Sequence, residues 1–209
     1  MIRVKVCGLN DPSNVKAVSE CGVDFIGFVF YPGSKRYVGE YPDKTLFMNL
    51  PEGILKTGVF VNEESEKVLE LAEYAELRVI QLHGNESVIY CKRIKASGLL
   101  IIKTFGVGDD FDPRITDRYS EACDFFLFDT KTSHYGGSGN KFSRNRLSNY
   151  SYKRPFFLSG GVGPEDSGIS AILLDKQFYA VDVNSRFEIR PGIKDPVLIK
   201  RFIDEIKRS

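Results

Sequence analysis

A surplus of charge of either sign is missing from this chain. Its 29 Lys and Arg stand against 28 Asp and Glu, a formal net charge of +1. That balance leaves no electrostatic footprint for nucleic acid or an anionic membrane, so neither is expected as a partner. Long hydrophobic runs are missing too: no apolar stretch approaches the length of a membrane span. Residue 2 enters a strand-like run directly, with no signal peptide ahead of it. Cysteine pairs are absent. Cys7, Cys21, Cys91 and Cys123 are scattered and form no CxxC, which argues against a zinc site or redox motif. Reduced thiols in a cytoplasmic protein fit best. Low-complexity segments, a linker and a strong internal repeat are also lacking, so residues 1–209 are read as one domain.

What is present is an alternation of strand and helix from end to end. Strand-like runs lie at 4–7, 25–30, 55–61, 78–82, 99–105, 124–128, 156–158 and 179–183, several of them continuously apolar. Strands buried on both faces have that character. Between them, Asp11-Pro12 and Asp195-Pro196 each offer an N-cap followed by proline at the first helical position. Val15, Val18 and Gly22 continue the first helix on one face. Val68, Leu71, Ala72 and Ala75, and later Ile199, Phe202, Ile203 and Ile206, recur at helical spacing. Residues 106–120 break the pattern and read as a loop with a short helix. Eight β-then-α units predict an α/β chain closed into a single-domain (β/α)8 barrel, the TIM barrel. An open doubly wound sheet is the alternative.

In such a barrel the residues just after each strand share one face, and catalytic groups come from the ends of several strands. Cys7 ends the first run before Gly8, and Asp129 ends the sixth before the Gly-rich stretch at 135–139. A potential base and a potential acid at two strand ends suggest proton transfer on a small molecule. Packing alone is the commoner use of a cysteine in Cys7's position. Ser159-Gly160-Gly161 after the seventh strand, and Asp182-Val183-Asn184-Ser185 around the end of the eighth, occupy the usual phosphate-binding places. The alternative there is a pair of tight turns. Arg36, in a basic and aromatic loop, has the fork to hold a planar carboxylate, although an ordinary surface arginine has the same spacing. His83 is carried as a substrate contact against the alternative of a structural histidine. Cys21, Cys91 and Cys123 read as packing residues.

Taken together, these segments resemble phosphoribosylanthranilate isomerases. The similar stretches are Lys5-Val6-Cys7-Gly8-Leu9, 27–32 with Ser34-Lys35-Arg36-Tyr37, 58–62, Gln81-Leu82-His83-Gly84, Asp129-Thr130, 136–139, 158–161, Asp182-Val183, and Pro191-Gly192 with Lys194-Asp195. The resemblance implies an Amadori rearrangement of N-(5′-phosphoribosyl)anthranilate to the 1-deoxyribulose phosphate. It implies Cys7 as general base, Asp129 as general acid and Arg36 as the carboxylate ligand. Gly160, Gly161, Asn184 and Ser185 are implied at the phosphate, with Asp182 and His83 also contacting substrate. No metal or organic cofactor is implied, the partner is a phosphorylated small molecule, and the assembly is a monomer or homodimer.

Departures are local. Asn184-Ser185-Arg186 stands where the family usually has Ser-Ser-Gly, and Ser133-His134 and Asn140-Lys141-Phe142 also stray. Arg186 is expected to point to solvent, with Phe187 and Ile189 packed at the barrel mouth. Two further readings are a related phosphosugar isomerase of the histidine pathway, which has an aspartate in the place of Cys7, and a phosphate-ligand binder that has lost catalysis.

Overall fold

A computed structural model of the chain describes residues 2–131, 147, 152–166 and 177–208. The departures at Ser133-His134 and Asn140-Lys141-Phe142, and the Gly-rich stretch at 135–139, lie outside the described residues. The strands are β1 (Arg3–Cys7), β2 (Phe25–Val29), β3 (Leu55–Phe60), β4 (Val79–Leu82), β5 (Leu100–Val107), β6 (Phe125–Thr130), β7 (Phe156–Leu158) and β8 (Phe178–Val183). They pair in sequence order into a closed barrel. Every pair is parallel, and the seam joins β1 to β8 from Arg3↔Ala180 to Val6↔Val183. The expected α/β barrel is the observed fold.

Successive side chains of a strand point to opposite faces, so each strand serves two cores. Phe25, Val79, Ile102, Leu127, Phe157 and Ala180 fill the barrel interior. The alternate residues, among them Val4, Val6, Ile26, Phe28, Ile80, Ile101, Phe126 and Phe128, pack outward under the helices. Edge-on pairs such as Phe25–Phe157, 5.2 Å between ring centroids, stiffen the interior without any tryptophan.

Among the described residues the α-helices are α1 (Pro12–Ser19), α2 (Ser65–Tyr74), α3 (Val88–Lys95) and α4 (Pro196–Arg208). Both expected Asp-Pro caps form: Asp11 Oδ1 accepts from Asn14 N at 2.8 Å, and Asp195 Oδ1 accepts from Val197 N at 2.9 Å. Three expectations need correction. Gly22 does not continue α1, because its φ of +87° is a left-handed conformation that lies beyond the helix end. Gly106 is strand rather than loop: β5 runs on to Val107, and Gly106 is registered against Asp129 of β6. The unit after β2 carries only a short 3-10 helix, Lys44–Phe47, in place of an α-helix, whereas the short helix expected after β5 is present as the 3-10 helix Pro113–Tyr119. The turn Ser185–Phe187 and the small antiparallel pair β9 (Glu188–Arg190) and β10 (Ile193–Lys194) follow β8 at the barrel mouth.

Candidate active site

Cys7 is the last residue of β1 and is buried, packed with Val29 and Val59 and covered by Tyr31. Gly8 then turns with φ +79°. A side chain there would meet Arg36 Cδ at 2.5 Å and Asn184 Oδ1 at 3.0 Å, so glycine lets the Arg36 arm cross directly over the end of β1. Burial pushes the Cys7 thiol up, the positive charge of Lys5 pulls it back, and the carboxylate of Asp182 opposes Lys5.

Asp129 faces the same space from β6. Its carboxyl is raised to about 6, first by burial and then by the nearby charge of Asp182, against a bond from Thr130 N to Oδ1 at 2.8 Å. His83 Nε2 stands 3.5 Å from Asp129 Oδ2. Burial and the cations Lys103 and Lys5 push His83 down to about 3, so the contact joins a neutral imidazole to the acid and is no ion pair. Gln81 Nε2 lies 3.0 Å from His83 Nδ1; donating there, it puts the imidazole proton on Nε2, toward Asp129. His83 can therefore donate at this mouth as a neutral group.

Arg36 is buried, which separates it from the surface-arginine alternative. Its Nε and Nη2 hold Glu188 at 2.8 and 2.7 Å, a side-on pair that leaves the Nη1–Nη2 edge without a partner among the described residues. Glu188 also accepts from Lys194 Nζ at 2.6 Å and from Gly192 N at 3.1 Å. Lys194 is fully buried and gives a second bond to Asn184 Oδ1 at 2.6 Å. Burial lowers its ammonium to about 8 against the pull of Glu188. Two cations and one carboxylate leave this cluster one positive charge in excess, the right balance to receive one carboxylate. The Asn184 side chain is thus turned to Lys194 and Gly8.

Gly160 and Gly161 have φ values of +81° and +66°. At Gly160 an added Cβ would strike Thr130 Oγ1 and lie 3.2 Å from Asp129 Oδ1, so the loop after β7 packs against the acid itself. The N–H groups of Gly160, Gly161 and Ser185 have no hydrogen-bond partner among the described residues, which leaves donors for an anion in both loops. Arg186 points outward as expected and spans the loops by an ion pair to Glu165 at 2.7 Å. Phe187 is buried, but Ile189 is 69% exposed. It sits in β9, where alternation turns it away from the core, and the expectation that it packs at the mouth is corrected.

Sequence reasoning missed Lys5, Glu188 and Lys194. Lys5 carried one signal, its position two residues before Cys7 on the same face of a strand. It also missed Lys103, which points outward from β5 and donates to Leu82 O, Gly84 O, Glu86 Oε2 and Thr104 O at 2.7–3.1 Å. Glu86 in turn accepts from Asn62 N at 2.9 Å and Gly84 N at 3.0 Å, tying the loops after β3 and β4. Cys21, Cys91 and Cys123 are buried as expected of packing residues. Among the described residues no three His, Cys, Asp or Glu side chains gather as metal ligands, and no helix is long and apolar enough to cross a membrane.

A closed α/β barrel with two titratable groups, a thiol and a carboxyl, at one mouth defines a barrel enzyme that works on a small molecule. Residues 4–205 match the family model of N-(5′-phosphoribosyl)anthranilate isomerase. The chain is 42% identical to the isomerase of that name from Phocaeicola vulgatus over 206 residues, 99% of this chain and 98% of the relative. The crystal structure of phosphoribosylanthranilate isomerase from Thermotoga maritima superposes with a TM-score of 0.86 at 40% identity, each chain covered completely (100%). A second solved isomerase, in complex with reduced 1-(o-carboxyphenylamino)-1-deoxyribulose 5-phosphate, gives a TM-score of 0.83 at 36% identity with the same 100% coverage of both chains. The chain belongs to the N-(5′-phosphoribosyl)anthranilate isomerase family, the isomerases of tryptophan biosynthesis.

Proposed function

We propose that this chain converts N-(5′-phosphoribosyl)anthranilate to 1-(2-carboxyphenylamino)-1-deoxyribulose 5-phosphate with Asp129 as general acid and Cys7 as general base. The observation that carries the assignment of roles is the pairing of a buried thiol on β1 with a carboxyl raised to about 6 on β6, both at one barrel mouth. Asp129 gives its proton to the ribose ring oxygen as the anilino nitrogen pushes the ring open to a protonated Schiff base. Cys7 takes the C2′ proton, and the enolamine forms. Return of a proton to C1′ and loss of the enol proton complete the ketone and restore both groups. No step calls for a metal or an organic cofactor. A fluorescence assay that feeds anthranilate and phosphoribosyl pyrophosphate through the preceding transferase tests the whole reading; no turnover there would sink it.

Binding is assigned to the remaining residues. The open edge of Arg36 receives the anthranilate carboxylate end-on while Glu188 keeps the side-on edge. The N–H groups of Gly160, Gly161 and Ser185 receive the phosphate, with Asn184 holding the loop through Lys194. The reduced product analogue bound by a relative carries both anions that this arrangement is built to take. Asp182 and His83 face the sugar between them.

Two outcomes follow from that division. Arg36→Met raises KM by about tenfold or more with kcat within about threefold, the signature of an interaction shared by ground and transition states. Steady-state kinetics read this directly, and a pure kcat loss would place Arg36 at the reacting centre instead. Arg186→Ala changes kcat/KM by less than about tenfold, because an exposed ion pair to Glu165 is worth only ~0–1 kcal/mol. A larger loss, together with weaker inhibition by inorganic phosphate, would make Arg186 a phosphate ligand.

A further inference from the structure

Below Cys7 the barrel holds a cation that the proton transfers do not use. Lys5 precedes Cys7 by two residues on β1, so both side chains stand on the inner face. It is fully buried. Asp182 of β8, registered beside it, accepts from its Nζ at 2.8 Å. On the other flank Gly27 of β2, registered against Cys7, leaves the space that both occupy. A Cβ on Gly27 would lie 2.8 Å from Cys7 Sγ and 3.2 Å from Lys5 Nζ, so sulfur and ammonium are stacked over one glycine. The Lys5 ammonium has three donors, and one goes to Asp182.

An ammonium in this layer is expensive. The interior it shares is otherwise filled by apolar side chains such as Phe25, Val79 and Ile102, and an aliphatic residue would fill the place without the cost of burying an ion pair. Cys7 carries the matching difficulty, since a sulfur shut in by Val29 and Val59 ionises poorly. Each charge relieves the other. Other charged groups face the sulfur less directly: Asp182 from β8, Lys194 from β10 and Arg36 from the loop after β2, with Asp129 and His83 across the mouth. Among the cations Lys5 acts on the sulfur most strongly.

We propose that Lys5 is a positioning residue, the buried counter-ion that keeps Cys7 available as a thiolate, with Asp182 fixing the Lys5 ammonium beneath the sulfur. The proposal rests on the reading of Cys7 as general base. The C2′ proton goes to sulfur and none passes to Lys5, which stays an ammonium paired with Asp182 throughout.

The test is carbamidomethylation of Cys7 by iodoacetamide, followed at the Cys7 peptide by mass spectrometry as a function of pH, in wild type and Lys5→Met. The expected result is a labelling midpoint higher by about one pH unit or more, a roughly tenfold slower reaction below the midpoint. In parallel, the plateau of kcat/KM around pH 7 falls about tenfold or more in Lys5→Met, and its upper break moves to higher pH by the same interval as the labelling midpoint, so the two profiles converge in alkali. A merely structural defect would lower the plateau without moving that break. An unmoved labelling midpoint overturns the proposal, as does a moved midpoint with an unmoved kcat/KM profile. Should Lys5→Met not fold, Lys5→Met/Asp182→Asn measured against Asp182→Asn gives the same comparison with no carboxylate left stranded. Failure of the catalytic reading shows separately, as near-normal turnover in Cys7→Ala.

Discussion

Cys7→Ala and Asp129→Asn each lower kcat by about 10²-fold or more while substrate still binds. The asparagine keeps the shape of the acid and an oxygen for the Thr130 N–H, so what it removes is the proton. Product fluorescence under saturating substrate is the measurement, and near-normal turnover in either variant would remove that residue from the mechanism. The pH profile carries a further sign. Asp129 must be protonated to act and Cys7 ionised, yet the acid sits at about 6 while burial holds the thiol above its usual range. The active form is therefore the minority one. Below about 6 it is scarce because the thiolate is; above the thiol's own ionisation it is scarce because the acid is. Between the two limits the fall of one offsets the rise of the other, and kcat/KM is flat. The lower break thus belongs to the carboxyl and the upper to the thiol. Asp129→Asn should abolish the break near 6, and its survival there would assign that break to another group.

Lys103→Met should cost more stability than any substitution at the mouth, about 3–5 kcal/mol, because it strands Glu86 as a buried carboxylate. Both partners are almost fully buried, and the ammonium also satisfies three backbone carbonyls. Denaturant unfolding reads the loss. The double variant Lys103→Met/Glu86→Gln should recover part of it, since the two groups share one network and their effects do not add. A full sum of the single losses would show that the pair is not coupled. The loops after β3 and β4 hang from this junction through Asn62 and Gly84.

Most of the barrel was legible because its strands are buried on both faces and therefore read as short apolar runs. The exception is instructive: Gly106 was read as the start of a loop, but it continues β5 in register with Asp129, where an added side chain would only touch Lys131 at 3.5 Å. Cys7 and Asp129 were placed at the mouth by position, each ending an apolar run, whereas Asp182 lies one residue inside the end of β8 and is turned to Lys5. Arg36 was found as a fork, but its partner was not. Glu188 lies 152 residues away, on a strand of three residues with no periodic signature, and Lys194 on one of two. Lys5 escaped for the opposite reason. It stands inside a strand, where a charge is ordinarily assigned to the solvent face, and nothing local announces that Asp182 will come to meet it.

Closure of the barrel also sets an order of events during synthesis. Lys5 and Asp182 are 177 positions apart, and the pairing that joins β1 to β8 brings them together. A nascent chain that has emerged through β7 has both edges of its sheet open, with the β1 edge carrying an ammonium that lacks its carboxylate. Contacts of such separation form slowly, and unpaired edges invite association with other chains. The last strand therefore does two jobs at once: it removes the sticky edges, and it delivers the residue that anchors the cation under Cys7. Chains caught before that moment should be both aggregation-prone and catalytically silent, and competence should arrive in one step with the ring.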